Sequence, residues 1–301
     1  MDSAVRLSGS ICALVTPFTS TGALDFDAFS RLIEDQLASG TQALVVAGST
    51  GEAHMLEPQE WERLLVFAVQ QVAARVPVLV GTGDAATAKT VRLTQRAAEL
   101  GADAALVVTP FYVRPTQEGL RQHYLAVADQ GGLPLVLYNV PGRTGCDLQP
   151  DTVAGLRDHP DIIGLKEARG DHERIQAVVA LASESFVVLS GDDGSAHEAM
   201  LAGFNGVISV VNNLVPRVFR TLCDAALTGD VPKVAELYAA LEPLIEALNC
   251  APNPIPVKAG LAELGLAGTT LRLPMVALEA GPKRKHLRDI LQTLRSLPDH
   301  P

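Results

Sequence analysis

Lys166 is the residue in this sequence whose position most favours chemistry. It ends the apolar run IIGL at 162–165. Burial disfavours the charged form of a lysine, and a neutral amine can attack a ketone and form an imine. The position fits equally well a lysine that pairs with Glu167 or Glu52, or one that extends to solvent. Lys166 alone therefore leaves Schiff-base chemistry and a structural role open.

Polar residues at the ends of other apolar runs favour the first interpretation. Tyr138 ends the run LVL at 135–137, and Ser49 and Thr50 lie between two glycines. Imine chemistry on a keto acid needs a group that moves protons and hydroxyl or N–H donors that hold a carboxylate. Arg143, in the segment PGRTG, is suited to a second carboxylate. Taken singly, the hydroxyl pair also fits a plain turn and Arg143 a surface arginine.

Two further patterns suggest a nucleotide or a metal. The segment GTGDAA at 81–86 matches the dinucleotide fingerprint G-x-G-x-x-A, but it follows the third strand candidate and has no clearly placed acidic partner. His54 and Glu57 have no third ligand at a sensible spacing. We expect neither a nucleotide nor a metal.

Short apolar runs alternate with amphipathic stretches up to about residue 225. The runs lack polar alternation, as expected of parallel strands buried on both faces. Eight of them predict an α/β fold, a (β/α)8 TIM barrel, with a doubly wound sheet as the alternative. We assign the catalytic barrel to 1–225 and a small C-terminal helical region to 226–301. The strand candidates are 11–15, 43–46, 78–80, 104–108, 135–138, 162–166, 186–189 and 207–210.

Composition excludes other classes of function. With 24 basic and 34 acidic side chains the chain has a formal charge of −10, which disfavours binding to nucleic acid. No apolar stretch is long enough to cross a membrane, and the first residues do not resemble a signal peptide. The four cysteines show no disulfide or metal spacing. We expect a reduced, cytoplasmic protein.

Seven sequence blocks resemble the dihydrodipicolinate synthase and N-acetylneuraminate lyase family, the class I pyruvate aldolases. The resemblance extends over essentially the whole chain. Arg143, the SGDD segment and NPIPVK are similar to the synthase branch rather than to the sialic acid lyases. The blocks are GSTGEAHML, VTPFYVRPTQEGL, LYNVPGRTGCDL, IIGLKEARGD, LSGDDGSA, GVISV and NPIPVKAGL.

The resemblance implies condensation of pyruvate with L-aspartate 4-semialdehyde, in the diaminopimelate route to lysine, without a cofactor. It makes Lys166 the Schiff-base residue and Tyr138 the general acid/base, which acts through a relay with Ser49 and Tyr112. In the family a neighbouring subunit usually supplies the second tyrosine. The resemblance therefore implies a dimer unit and commonly a homotetramer.

Four further residues receive binding roles from the same resemblance. Thr50 would hold the pyruvate carboxylate and Arg143 that of the semialdehyde. The backbone around Ile208 would face the lysine amine, and Gly191 belongs to the same substrate-binding set. The alternatives are a Schiff-base lyase acting on a keto-deoxy sugar acid, and a catalytically silent barrel.

The chain departs from the family pattern at two places. Ser49 replaces the threonine that is common in the synthase branch, which keeps the hydroxyl but loses the methyl group that restricts its rotamer. At the family's lysine-inhibition site, the expected His, Asn, Glu and Tyr are replaced by Pro58, Ala85, Lys89 and Phe111. Because Lys89 would repel the ligand's ammonium group, we predict weak or absent inhibition by lysine.

Overall fold

The computed structural model describes residues 5–295. Eight parallel strands form a closed barrel in chain order, and β8 pairs with β1. The barrel prediction is therefore confirmed, and the doubly wound alternative is wrong. The strands are β1 (Gly9–Ala13), β2 (Ala43–Val46), β3 (Val78–Gly81), β4 (Ala104–Val108), β5 (Leu135–Asn139), β6 (Ile162–Glu167), β7 (Val187–Ser190) and β8 (Gly206–Ser209).

Helices follow the strands and continue beyond the barrel. In the second of them, α2, Pro58 occupies the first turn after the capping residue Glu57, and the side chains of Glu57 and Glu60 complete a capping box. The helices are α1 (Phe26–Ala38), α2 (Pro58–Val72), α3 (Thr87–Glu99), α4 (Gln117–Gly131), α5 (Pro141–Thr144), α6 (Pro150–Ala154), α7 (His172–Val179), α8 (Ala196–Leu201), α9 (Pro216–Leu227), α10 (Val231–Ala247), α11 (Ile255–Glu263) and α12 (Pro282–Arg295).

The first strand lies two residues earlier than its apolar run suggests. Strand β1 begins at Gly9, because Gly9 already pairs with Gly206 of β8. At the other end Leu14 still donates to the carbonyl of Val45, but the N–H of Val15 turns to the side chain of Asn213. The apolar run therefore continues into a buried loop after the ladder has ended.

The alternation of side chains along the strands separates two apolar layers. In β5, Leu137 belongs to the layer between strands and helices, whereas Tyr138 belongs to the layer inside the barrel. In β6, Leu165 belongs to the outer layer. Because successive side chains point to opposite faces, Lys166 points into the barrel.

The glycines of the nucleotide-like segment at 81–86 have a packing role. A Cβ at Gly83 would lie 2.7 Å from the backbone nitrogen of Val108 in β4, and a Cβ at Gly81 would meet the backbone of Ala47. Close approach of neighbouring loops therefore accounts for these glycines, and α3 begins only at Thr87.

The C-terminal region returns to the barrel. The predicted boundary at residue 225 falls inside α9, which ends at Leu227, and the division into two domains stays a prediction. The segment after α10 reaches the mouth of the barrel, where Asn249, Asn253 and Val257 line a cavity. Among the described helices, none combines the length and apolarity that crossing a membrane requires.

Candidate active site

A cavity of about 270 Å³ opens at the carboxyl ends of the strands. This is the end at which β/α barrels place their chemistry. The cavity brings together six of the eight residues predicted from the sequence, whereas Tyr112 and Ile208 do not line it. The six are Ser49, Thr50, Tyr138, Arg143, Lys166 and Gly191.

Lys166 lies beside Tyr138 inside the cavity. The two residues are register partners of β6 and β5, and the lysine Nζ lies 4.3 Å from the centroid of the tyrosine ring. Only 6% of Lys166 is exposed, and this burial lowers its pKa to about 7. The charge of Asp193 opposes the shift, and that of Arg143 reinforces it. A substantial fraction of the amine is therefore neutral at neutral pH.

Gly191 leaves space for the lysine side chain. A Cβ at this position would lie 2.9 Å from Cε of Lys166. The backbone N–H of Gly191 also donates to the carbonyl of Glu167 at 2.7 Å, which fixes the turn after β7 against β6. Absence of a side chain at Gly191 therefore allows the lysine to lie in the cavity.

The Tyr138 hydroxyl is held in its protonated form. Burial raises its pKa to about 12, although the charge of Arg143 and a hydrogen bond with Ser49 act in the opposite direction. The phenol is therefore available at neutral pH as a proton donor. Ser49 lines the same cavity, and its part in a relay stays a prediction.

Asn253 connects the two proposed carboxylate sites. Its Nδ2 donates to Oγ1 of Thr50 at 3.0 Å, and its backbone carbonyl accepts a hydrogen bond from Nη2 of Arg143 at 3.1 Å. Thr50 thereby keeps its own hydroxyl proton for a ligand. Sequence reasoning missed Asn253 as a site residue, and the signal was the NPIPVK block, which the resemblance used only as a family marker.

Asp193 is a second residue that sequence reasoning did not select. Its Oδ2 accepts hydrogen bonds from the backbone N–H groups of Val210 and Val211 at 3.0 and 3.1 Å. Its Oδ1 is buried and has no hydrogen-bond partner among residues 5–295. Burial raises the pKa of this carboxyl group. The SGDD segment after the seventh strand candidate was the available signal.

A buried polar network lies behind the lysine and tyrosine, outside the barrel. Nδ2 of Asn139 donates to both carboxylate oxygens of Glu167, at 3.0 and 3.1 Å, and to Asp147 at 2.7 Å. Arg174 pairs with Asp147 and lies 3.7 Å from Glu167. Burial raises the pKa of Glu167 to about 7. Since Asn139 and Glu167 directly follow Tyr138 and Lys166, the network connects β5 and β6 at the site.

The two predicted residues that do not line the cavity are Tyr112, at the surface, and Ile208, in the barrel interior. Tyr112 is 89% exposed and adopts a φ of 72°, and its N–H donates to the carbonyl of Thr144 at 3.1 Å. Its side chain does not enter the cavity of its own chain. Ile208 is buried in β8 and contributes to the apolar layer inside the barrel.

The positions of the family's lysine-inhibition site lie in and near a second cavity of about 430 Å³. Pro58 and Phe111 line this cavity together with Asp84. Lys89 does not line it, and its ammonium group lies 3.9 Å from Asp84. Two of the four positions, Pro58 and Phe111, therefore place apolar side chains on the cavity wall, which His54 and Asp84 also line.

The described part of the chain holds no group of three or more His, Cys, Asp or Glu side chains suited to a metal ion. His54, one of the two possible ligands in the sequence, instead has its ring 4.7 Å from that of Phe111. Burial lowers the pKa of His54.

The fold and the cavity define a class of protein. A closed barrel with a buried lysine beside a tyrosine of the adjacent strand has the architecture of a Schiff-base aldolase. The chain belongs to the Dihydrodipicolinate synthetase family, whose profile matches residues 6–294.

Similar proteins extend over nearly the whole chain. A protein of Xanthomonas axonopodis pv. citri (strain 306), named 4-hydroxy-tetrahydrodipicolinate synthase, is 60% identical over 276 residues, 92% of this chain and 91% of its own. A protein of the same name from Stenotrophomonas maltophilia (strain R551-3) is 53% identical over 298 residues, 98% of this chain and 100% of its own. The structure of chloride-inhibited dihydrodipicolinate synthase from Acinetobacter baumannii, in complex with pyruvate, has a TM-score of 0.94 and 41% identity, and the match covers 97% of this chain and 100% of that one.

Proposed function

We propose that this protein catalyses the 4-hydroxy-tetrahydrodipicolinate synthase reaction, the condensation of pyruvate with L-aspartate 4-semialdehyde in the diaminopimelate route to lysine. The observation that carries the proposal is the buried, partly neutral amine of Lys166 beside Tyr138. The names of the relatives support the choice of substrates.

Lys166 begins the reaction in this proposal. Its neutral Nζ attacks the ketone carbon of pyruvate, water leaves, and a protonated imine forms on the lysine. The imine withdraws electrons, so the methyl group loses a proton to the phenolate of Tyr138, and the resulting enamine carbon attacks the aldehyde carbon of the second substrate, whose oxygen takes up that proton. The amino group of the second substrate then attacks the imine carbon and displaces the amine of Lys166, which closes the ring of the product and frees the lysine. No cofactor is required, because the imine itself is the electron sink.

Tyr138 moves the protons in this scheme. Its hydroxyl is protonated at neutral pH and donates a proton to the oxygen that leaves as water. The phenolate left by that step accepts the proton that the methyl group of the imine loses, and Ser49, whose side chain contacts the phenol, is the next member of the relay. Placing the relay inside a buried cavity keeps competing water away from the imine.

The binding residues divide between the two substrates. Thr50 holds the pyruvate carboxylate with the hydroxyl proton that its contact with Asn253 leaves available. Arg143, near the cavity mouth, binds the carboxylate of the semialdehyde. The backbone at Gly191 and around Ile208 borders the lysine side in this proposal.

Borohydride reduction in the presence of pyruvate tests the chemistry. We expect a reduced pyruvate adduct on the peptide that contains Lys166, detected by mass, and none in the Lys166→Ala variant. A wild-type protein without the adduct would contradict the proposal and favour a silent barrel. A panel of aldehydes tests the second substrate, and preference for a sugar aldehyde over L-aspartate 4-semialdehyde would point to the sugar-acid lyase instead.

We further propose a homotetramer built from dimers in which Tyr112 completes the relay of the partner subunit. Support comes from its exposed side chain, its left-handed backbone and the adjacent Val113, which is 55% exposed. One structural neighbour, at 41% identity and a TM-score of 0.93, is described as a monomeric dihydrodipicolinate synthase variant, so assembly varies among the similar proteins.

We also propose a cytoplasmic location. The four cysteines are free, as expected of a protein in a reducing compartment.

Mixing two inactive variants tests the exchange of Tyr112. Tyr112→Phe retains Lys166, whereas Lys166→Ala retains Tyr112. If the tyrosine acts across an interface, hybrid dimers contain one complete site, and activity is expected to return after subunit exchange. A mixture that forms hybrids, seen by mass, yet stays inactive would contradict the proposal.

A further inference from the structure

Two buried side chains of opposite charge meet behind the loop that carries Ser49 and Thr50. Lys258 of α11 donates from Nζ to Oε1 of Glu52, and also to the carbonyl of Thr270 at 2.9 Å. The other carboxylate oxygen of Glu52 accepts from the backbone N–H of Arg272 at 3.1 Å. Glu52 and Lys258 are each 1% exposed, so the pair is isolated from water.

Stability alone does not explain such a pair. Removing two charges from water has a large free-energy cost, and a buried ion pair is often no more stabilising than packed apolar side chains. Burial lowers the pKa of Lys258 to about 8, and the charge of Glu52 and the hydrogen bond with it oppose this shift. The ring of Phe18 also lies 4.2 Å from the lysine Nζ, which adds a cation–π contact. The pair is therefore better explained by a role in positioning neighbouring residues than by a role in stabilising the fold.

The backbone of the loop shows what the pair holds. Glu52 has a φ of 53° and Ala47, at the other end, a φ of 48°. Residues other than glycine rarely adopt this left-handed conformation, and it persists where the surroundings fix it. Ser49 and Thr50 lie between these two positions. The orientation of both hydroxyl groups therefore depends on contacts that hold a strained turn.

Other contacts hold the loop only in part. The hydroxyl of Thr16 donates to the carbonyl of Gly51 at 2.6 Å, and Asn253 donates to Thr50 at 3.0 Å. Neither of these contacts reaches the carboxylate of Glu52. The side chain of Glu52 is held by Lys258 and by the backbone of Arg272, both from the C-terminal region.

We propose that Lys258 and Glu52 are positioning residues, whose buried pair holds the turn at 47–52 so that Ser49 meets Tyr138 and Thr50 faces the pyruvate carboxylate. Helix α11 then contributes to the geometry of the pyruvate site through Lys258. This inference rests on the proposed function, because it assigns an effect to that reaction.

The test compares Lys258→Met, the double variant Lys258→Met with Glu52→Gln, and the control Lys233→Met. Lys233 belongs to an exposed pair with Glu236 in α10, and its loss is expected to leave activity unchanged. Lys258→Met leaves an unpaired buried carboxylate, so kcat/KM for pyruvate and the rate of borohydride-trapped adduct are expected to fall about 100-fold. The KM for the semialdehyde is expected to change less than about threefold, since Arg143 bonds to the carbonyl of Asn253 and contacts neither Lys258 nor Glu52.

The double variant separates positioning from folding. It removes the unpaired charge but does not restore the pair, so we expect its free energy of unfolding to recover toward wild type while kcat/KM for pyruvate stays at least about tenfold below wild type. All rates are expressed per folded molecule, from the unfolding curve of each variant. Kinetics of Lys258→Met within about threefold of wild type on that basis, or a double variant that returns to within about threefold of wild type, would overturn the positioning role.

The same trapping measurement distinguishes this failure from failure of the proposed reaction. A wild-type protein that forms no pyruvate adduct overturns the reaction and the role of the pair together. Equal trapping rates in wild type and Lys258→Met overturn the positioning role alone.

Discussion

At the scale of single residues, the site depends on two side chains whose pKa values burial moves in useful directions. Burial disfavours the ammonium form of Lys166 and lowers its pKa to about 7. It also disfavours the phenolate form of Tyr138 and raises that pKa to about 12. One cavity thus supplies a nucleophilic amine and a protonated acid at the same pH.

The pH dependence of imine formation follows from these values. The neutral fraction of an amine with a pKa of about 7 rises about tenfold between pH 6 and pH 8 and then levels off. We expect the rate of borohydride-trapped pyruvate adduct to follow this curve, with Lys166→Ala as the blank. A rate that continues to rise tenfold for each pH unit above pH 8 would indicate an ordinary lysine.

At the scale of elements, the register of two neighbouring strands places the reactive pair. Tyr138 and Lys166 are partners across β5 and β6, and the next pair, Asn139 and Glu167, joins the same strands on the outer face. Asn139 also accepts the N–H of Leu148 at 2.9 Å, which closes the loop that carries Arg143. One amide therefore supports both strands and the loop.

Replacing this amide by an apolar side chain of similar size tests its role. Asn139→Leu leaves the Glu167 carboxylate without a donor that it has in the wild type, so we expect the free energy of unfolding to fall by about 1–3 kcal/mol. Gln95→Leu is the control, since its exposed amide contacts only the carbonyl of Gln130, and we expect a change below about 0.5 kcal/mol. Urea unfolding measures both. Equal stability of the two variants would refute the proposed role of Asn139.

At the scale of the whole molecule, a second cavity lies beside the first and concerns regulation. Ser49, Leu106 and Tyr138 contribute to the walls of both. A ligand in the second cavity would therefore contact Ser49 and Tyr138. Its lining in this chain offers Pro58 and Phe111 rather than the polar side chains of the family's lysine site.

We accordingly expect that L-lysine at about 1 mM leaves the reaction rate within about twofold of its value without lysine. The physical reason is that Pro58 and Phe111 offer no hydrogen bonds to the ligand, while Lys89 lies beside Asp84 and counters the negative charge that this side chain brings to the cavity. Steady-state rates across a lysine titration measure the effect. Complete inhibition below that concentration would contradict the prediction, and Lys89→Glu would then show whether the charge matters.

Hydrophobic periodicity and the residues that end each strand predicted the strands, the barrel and most of the residues that line the cavity, because these are local properties of the chain. The distant residues that contact them could be recognised only from the folded chain. Asn253 reaches Thr50 across 203 positions, and Lys258 reaches Glu52 across 206. Such pairs depend on how α11 folds back onto the barrel mouth, and no local pattern encodes that approach. The role of Asp193 could not be predicted for the same reason. Its partners Val210 and Val211 lie far from it in the chain and meet it only where β7 and β8 end together.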